Sequence, residues 1–144
     1  MKHFSSRSLD GDQLTFELAR ANLSELDEDL YYRNLDLSSK NLVVLGEQLK
    51  RFKLIADLNV SKNSLRCLGR EINDLTKLTC LNASHNLLTK AFDFGGESLL
   101  IDVDFSHNKI EDIDQASKQK SLRKLDLRLV YYWINFFLFL AIII

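Results

Sequence analysis

Leu58-Asn59-Val60-Ser61-Lys62-Asn63-Ser64-Leu65, Leu81-Asn82-Ala83-Ser84-His85-Asn86-Leu87-Leu88 and Val103-Asp104-Phe105-Ser106-His107-Asn108-Lys109-Ile110 share one pattern: apolar-x-apolar-x-x-Asn-x-apolar. Leu35-Asp36-Leu37-Ser38-Ser39-Lys40-Asn41-Leu42 is a variant with the asparagine one place late, and Leu125-Asp126-Leu127 opens a fifth copy. The start points 35, 58, 81, 103 and 125 are spaced 23, 23, 22 and 22 residues apart. A fixed period of this size marks stacked supersecondary units, none of which can bury its apolar face alone. A degenerate copy at Phe16-Glu17-Leu18, with Asn22-Leu23 in the late register, starts 19 residues before Leu35 and reads as an N-terminal cap.

The pattern dictates local structure. Alternate residues of a strand face opposite sides, so Leu35/Leu37, Leu58/Val60, Leu81/Ala83, Val103/Phe105 and Leu125/Leu127 are the expected inward pairs. The column Asn63, Asn86, Asn108 falls where the chain leaves the strand. There a side-chain amide can satisfy backbone groups that must not be buried unpaired. The returns carry apolar residues at helical spacing, Leu42, Leu45, Leu49, Phe52 and Ile55 in one and Leu65, Leu68, Ile72, Leu75 and Leu78 in the next. They predict helical or 3-10 segments on a convex side. The third return, Ala91-Phe92-Asp93-Phe94-Gly95-Gly96-Glu97, reads as irregular. The expected fold is therefore an α/β solenoid with a curved parallel sheet on its concave side. The expected organisation is a cap over 1–34, repeats over 35–128 and an apolar tail over 129–144.

The repeat resembles the leucine-rich repeat, over roughly Phe16 to Leu127. Leu81-Asn-Ala-Ser-His-Asn-Leu-Leu-Thr-Lys-Ala-Phe-Asp-Phe and Val103-Asp-Phe-Ser-His-Asn-Lys-Ile are also similar to the repeat region of leucine-rich-repeat guanylate-kinase-domain proteins and related repeat proteins of cilia and flagella. That resemblance implies an axonemal or cytoskeletal adaptor. It carries no kinase activity with it, because no Gly-x-x-x-x-Gly-Lys-Ser/Thr run exists here.

Composition narrows the function classes. With 144 residues, 46% apolar and 27% charged, the chain has the makings of one folded domain. The net charge of −1 points to neither nucleic acid nor an anionic membrane. Proline is absent, which suits a regular, repetitive backbone. Cys67 and Cys80 fit no zinc or thioredoxin spacing. Their thiols and the polar start, Met1 to Asp12, lead to the expectation of an intracellular protein. Asn22-x-Ser24 and Asn82-x-Ser84 match the glycosylation pattern but would not meet the enzyme there.

Function is expected on the exposed strand face. Its columns are Asn34, Asp57, Cys80, Asp102, Lys124; then Asp36, Asn59, Asn82, Asp104, Asp126; then Ser38, Ser61, Ser84, Ser106, Arg128. With strands about 4.8 Å apart the carboxylates form a ladder. The expected partner-binding residues are Asp36, Asp57, Asn59, Ser61, Asn82, Ser84, Asp102, Asp104, Ser106 and Asp126, and the expected partner is a basic protein segment. The competing reading is that these aspartates only keep an open sheet soluble. No catalytic residues, cofactor or metal are expected. His85 and His107 share a column, but Ser39 and Lys62 beside them give no third ligand. Neither cysteine has a fixed histidine partner. No phosphate loop and no base-stacking aromatics appear, so neither a small-molecule substrate nor nucleic acid is expected. A regulatory subunit docking on a phosphatase or kinase is the remote alternative.

After Arg128 the period breaks. Leu129 to Ile144 is an uncharged run interrupted only by Asn135. One reading is a tail anchor with Tyr131, Tyr132 and Trp133 at the interface and Lys118, Lys120, Arg123, Lys124 and Arg128 on the cytoplasmic side, giving a membrane-tethered adaptor. Sixteen residues span only about 24 Å as a helix, short of a hydrocarbon core of about 30 Å. A second is a hydrophobic cap over the end of the solenoid, although caps present a polar outer face. A third is translated AT-rich non-coding sequence, whose codons give this Phe, Ile, Tyr, Leu and Asn content. Alkaline carbonate extraction of the expressed chain separates them: an anchor stays in the membrane pellet, and complete release into the soluble fraction excludes it.

Overall fold

A three-residue strand has too few ladder bonds and too little apolar area to persist alone, so this repeat must stack on its neighbours. The computed structural model describes residues 7–8, 33–46, 49, 52–93 and 98–130. Its strands are β1 (Arg7–Ser8), β2 (Asn34–Asp36), β3 (Leu42–Val44), β4 (Asp57–Asn59), β5 (Cys80–Asn82), β6 (Asp102–Asp104) and β7 (Lys124–Asp126). Five of them form one parallel sheet in the order β2-β4-β5-β6-β7. Its register aligns Leu35, Leu58, Leu81, Val103 and Leu125, the first inward column. The molecule is thus a parallel-sheet solenoid of about four turns.

Both inward columns are buried. Leu37, Val60, Ala83 and Phe105 are fully enclosed, as are the return residues Leu42, Leu45, Leu49, Ile55, Leu65 and Leu68. Burying a side chain of this size contributes about 1.5–3 kcal/mol. The returns themselves contain little helix. Turns of 3-10 helix lie at Arg70–Asp74 and Ala116–Lys118, and Leu49 is also in 3-10 geometry. Elsewhere the apolar spacing places side chains inward from a chain of bends rather than from a helix. In Arg70–Asp74 only Ile72 is buried, so one inward anchor suffices for that turn.

The chain leaves each strand through the same backbone device. Ser39, Lys62, His85, His107 and Leu129 occupy one column, and all have φ between 53° and 57°. Left-handed backbone of this kind is uncommon outside glycine. Here it is held by the sheet ladder, which runs on through the turn: the amides of Ser39, Lys62, His85 and His107 donate to Ser61, Ser84, Ser106 and Arg128 carbonyls at 2.9–3.0 Å.

Beside that column stand the asparagines. Asn86 Nδ2 donates to the carbonyls of Val60 (3.0 Å), Ala83 (3.1 Å) and Ser84 (3.2 Å), and Oδ1 accepts from the Leu65 amide at 3.0 Å. Asn108 repeats the set one rung on, with Ala83, Phe105, Ser106 and Leu88. Asn63 donates to Leu37, Val60 and Ser61 and accepts from the amides of Lys40 and Leu42. Each side chain therefore ties its own turn to the one before. In the first rung Lys40 holds this place, and Asn41 next to it has φ 59°. In the fifth rung the place belongs to Val130, which is buried and cannot make such bonds.

The third return is irregular, as its glycines and aromatics suggest. Phe92, at φ 57°, is fully buried and meets Phe105 edge to face at 5.2 Å. The adjacent Asp93 carboxylate reaches back to accept from the Leu68 amide at 3.1 and 3.3 Å. Burial pushes this carboxyl up from its ordinary range, and the backbone amides of Leu68 and Gly69 pull it partly back.

At the N-terminal side β1 pairs in parallel with β3 as a separate two-stranded sheet that the repeat pattern does not contain. The degenerate copy at Phe16 to Leu23 lies outside the described residues. At the other end Leu125 and Leu127 are only partly buried, and Leu129 is 66% exposed. The remainder of the apolar run, 131–144, also lies outside the described residues. Among the described residues no helix is long and apolar enough to cross a membrane.

Asn86→Ala removes one acceptor and one three-way donor from a buried turn. Each orphaned group costs about 1–3 kcal/mol, so the expected loss is roughly 2–4 kcal/mol in urea denaturation. A loss below about 0.5 kcal/mol would show that water replaces the amide.

Candidate functional site: the open face of the sheet

Strand alternation sends Asn34, Asp57, Cys80, Asp102 and Lys124 to the face opposite the core, and the ladder register sets them side by side. These five are exposed or half-exposed. They also bond across the strands. Lys124 Nζ meets Asp102 Oδ2 at 3.1 Å. With its amide turned to donate, Asn34 Nδ2 reaches Asp57 Oδ2 at 2.5 Å. Cys80 lies beside Asp57, whose carboxylate hydrogen-bonds the thiol and raises its pKa, with burial adding to the effect. Burial, followed by the charges of Asp93 and Glu71, likewise pushes the Cys67 thiol up. Both cysteines are free, and both are shifted away from the reactive thiolate.

The second column has a backbone duty that the charge reading does not include. Asp36, Asn59, Asn82, Asp104 and Asp126 each use Oδ1 to accept from the amide two residues on, at 2.8–3.1 Å. These are Asx turns that end each strand. Such a turn needs an acceptor oxygen rather than a charge, which is why Asp and Asn interchange in this column. The interchange, followed two places later by Ser in four of five rungs, is the sequence signal that could have revealed it. Asp36, Asp57 and Asp104 form no ion pair among the described residues, although Asp104 lies within the field of the Arg128 guanidinium.

The third column departs from expectation. Ser61, Ser84 and Ser106 are 6%, 6% and 4% exposed, so they lie beneath the surface rather than on it. Their carbonyls serve the asparagine ladder and the left-handed turn, and this draws the chain inward. Arg128 ends that column in the open and clasps Asp126, with Nε at 2.9 and 3.0 Å and Nη2 at 2.6 Å. The clasp holds the Asp126 carboxyl below its usual range. The face therefore presents Asp36 and Asp57 as open carboxylates, with Asp104 near Arg128 and the paired charges gathered over β6 and β7.

His85 and His107 stack in neighbouring rungs, with ring centroids 3.9 Å apart. Among the described residues no group of three or more His, Cys, Asp or Glu is assembled to hold a metal ion. Neither the protein-family models nor the curated proteins compared with this chain give a match.

Asp104→Asn keeps the acceptor of the Asx turn and should leave stability within about 0.5 kcal/mol. Asp104→Ala removes it and should cost about 1 kcal/mol. Chemical denaturation of the two variants checks the difference; equal losses would show that charge rather than the turn matters at this position.

Proposed function

We propose that this chain is a non-catalytic, intracellular protein-binding scaffold of the leucine-rich-repeat type, which holds a basic segment of a partner protein on its acidic concave face. The repeat period, the inward leucines and the asparagine column support the repeat type. The reading rests chiefly on one observation: Asp36, Asp57 and Asp104 stand on one open sheet face, and none of them forms an ion pair among the described residues. Carboxylates held on one fixed face complement a lysine- or arginine-rich segment and steer its approach. Charges of this kind act on encounter rate and specificity, and their effect falls with salt because the screening length is about 8 Å at physiological ionic strength. The two free thiols suit a reducing compartment.

The Asx turns supply a clean test. Asp36→Asn, Asp57→Asn and Asp104→Asn together remove three charges and leave the backbone acceptors in place. Binding of a fluorescently labelled lysine-rich peptide to the parent chain should weaken at least tenfold in this triple variant, and should weaken in the parent as salt rises. Equal affinity in parent and variant would sink the proposal.

A further inference from the structure

The two edges of the main sheet differ. At β2 the inward leucines are sealed, with Leu35 2% and Leu37 0% exposed. At β7 Leu125 and Leu127 are only partly buried, and Leu129 is 66% exposed. The β7 backbone is open as well. The Lys124 amide donates to the Ile101 carbonyl and the Asp126 carbonyl accepts from the Phe105 amide, so residues 124 and 126 face β6. Alternation turns the amide and carbonyl of Leu125 outward, and β7 is the last strand of its sheet. An edge of this kind is a template for another strand.

We propose that β7 pairs antiparallel with β7 of a second copy of this chain, across a two-fold axis at Leu125. The register follows from charge. Centred there, the two Leu125 residues exchange N–H···O bonds, and Lys124 of each copy stands opposite Asp126 of the other. Each copy already holds Lys124 against Asp102 and Asp126 against Arg128. Signs therefore alternate across the seam: Asp102, Lys124, Asp126, Arg128. Centring on Lys124 or on Asp126 instead sets like charges face to face, which destabilises a strand pair. Centring on Leu127 carries the pairing into Leu129, whose φ of 54° ends the strand. Exposed ion pairs add little affinity, so here they select the register, and the outward backbone groups and uncovered leucines supply the attraction. With the axis along the sheet normal, both open faces look the same way and their Asp36 and Asp57 ends lie outermost.

Sedimentation velocity of the full chain, under reducing conditions that exclude links through Cys67 and Cys80, should show a discrete dimer that dissociates on dilution. Lys124→Asp and Asp126→Lys each place like charges across the seam and should weaken the dimer at least tenfold. Mixed in equal amounts they should form a heterodimer as tight as the parent, because every Asp again meets a Lys. A variant that merely misfolds is not rescued by mixing. In the parent, hydrogen exchange at the Leu125 amide should be slow in the dimer and fast after dilution, a readout that needs no variant. The proposal is overturned by a parent that stays monomeric at about 0.1 mM, or that forms polydisperse aggregates in place of a dimer. It is equally overturned by a Leu125 amide protected in the monomer, as cover by residues 131–144 would give, or by no recovery on mixing two folded variants.

Discussion

The structure depends on a side-chain amide placed where the backbone has no partner of its own. When the chain turns out of a strand through left-handed backbone, several carbonyls and amides point inward with no ladder to receive them. Leaving one unpaired in the interior costs about 1–3 kcal/mol. Asn63, Asn86 and Asn108 answer this with Nδ2 shared among three carbonyls and Oδ1 facing an amide. No other short side chain carries both functions at that reach: aspartate lacks the donors and leucine lacks everything. The leucines supply the favourable burial, and the asparagines allow a turn dense in polar backbone to be buried beside them.

Much of this arrangement is legible in the sequence. The period, the inward pairs and the asparagine column follow from spacing, because strand alternation and a repeated turn leave few alternatives. The left-handed column is not legible. Its occupants, Ser39, Lys62, His85, His107 and Leu129, include no glycine, and the ladder hydrogen bonds that hold them come from residues 21–22 positions away. The returns are legible in part: 3-10 turns form at Arg70–Asp74 and Ala116–Lys118, while much of the remaining return is bends. Apolar residues at helical spacing are also what a chain of bends needs in order to place side chains inward at intervals, and periodicity alone does not separate the two. The β1–β3 pairing is invisible because two residues carry no pattern.

The open face shows why residue type is a poor guide to role in a repeat. Asp104 and Asp57 are both aspartates of the open face, one column apart. One carboxylate closes a turn with Ser106, and the other lies between Asn34 and Cys80 with no turn to close. Ser61, Ser84 and Ser106 look like surface residues but are enclosed, because the same turn that positions the asparagines pulls them in. The charge of the face is consequently a smaller quantity than its acidic count. Lys124 and Arg128 neutralise the end over β6 and β7, and the negative potential is concentrated toward β2 and β4.

The asparagine bonds run in one direction along the chain. Asn63 closes the turn of the rung before it, Asn86 closes that of Asn63's rung, and Asn108 closes the next. A rung is therefore incomplete until its successor exists. For a polypeptide emerging from a ribosome at about 5–20 residues per second, each coil waits roughly one to five seconds for the residue that seals it. Assembly of this solenoid is vectorial, with the newest coil always the least finished.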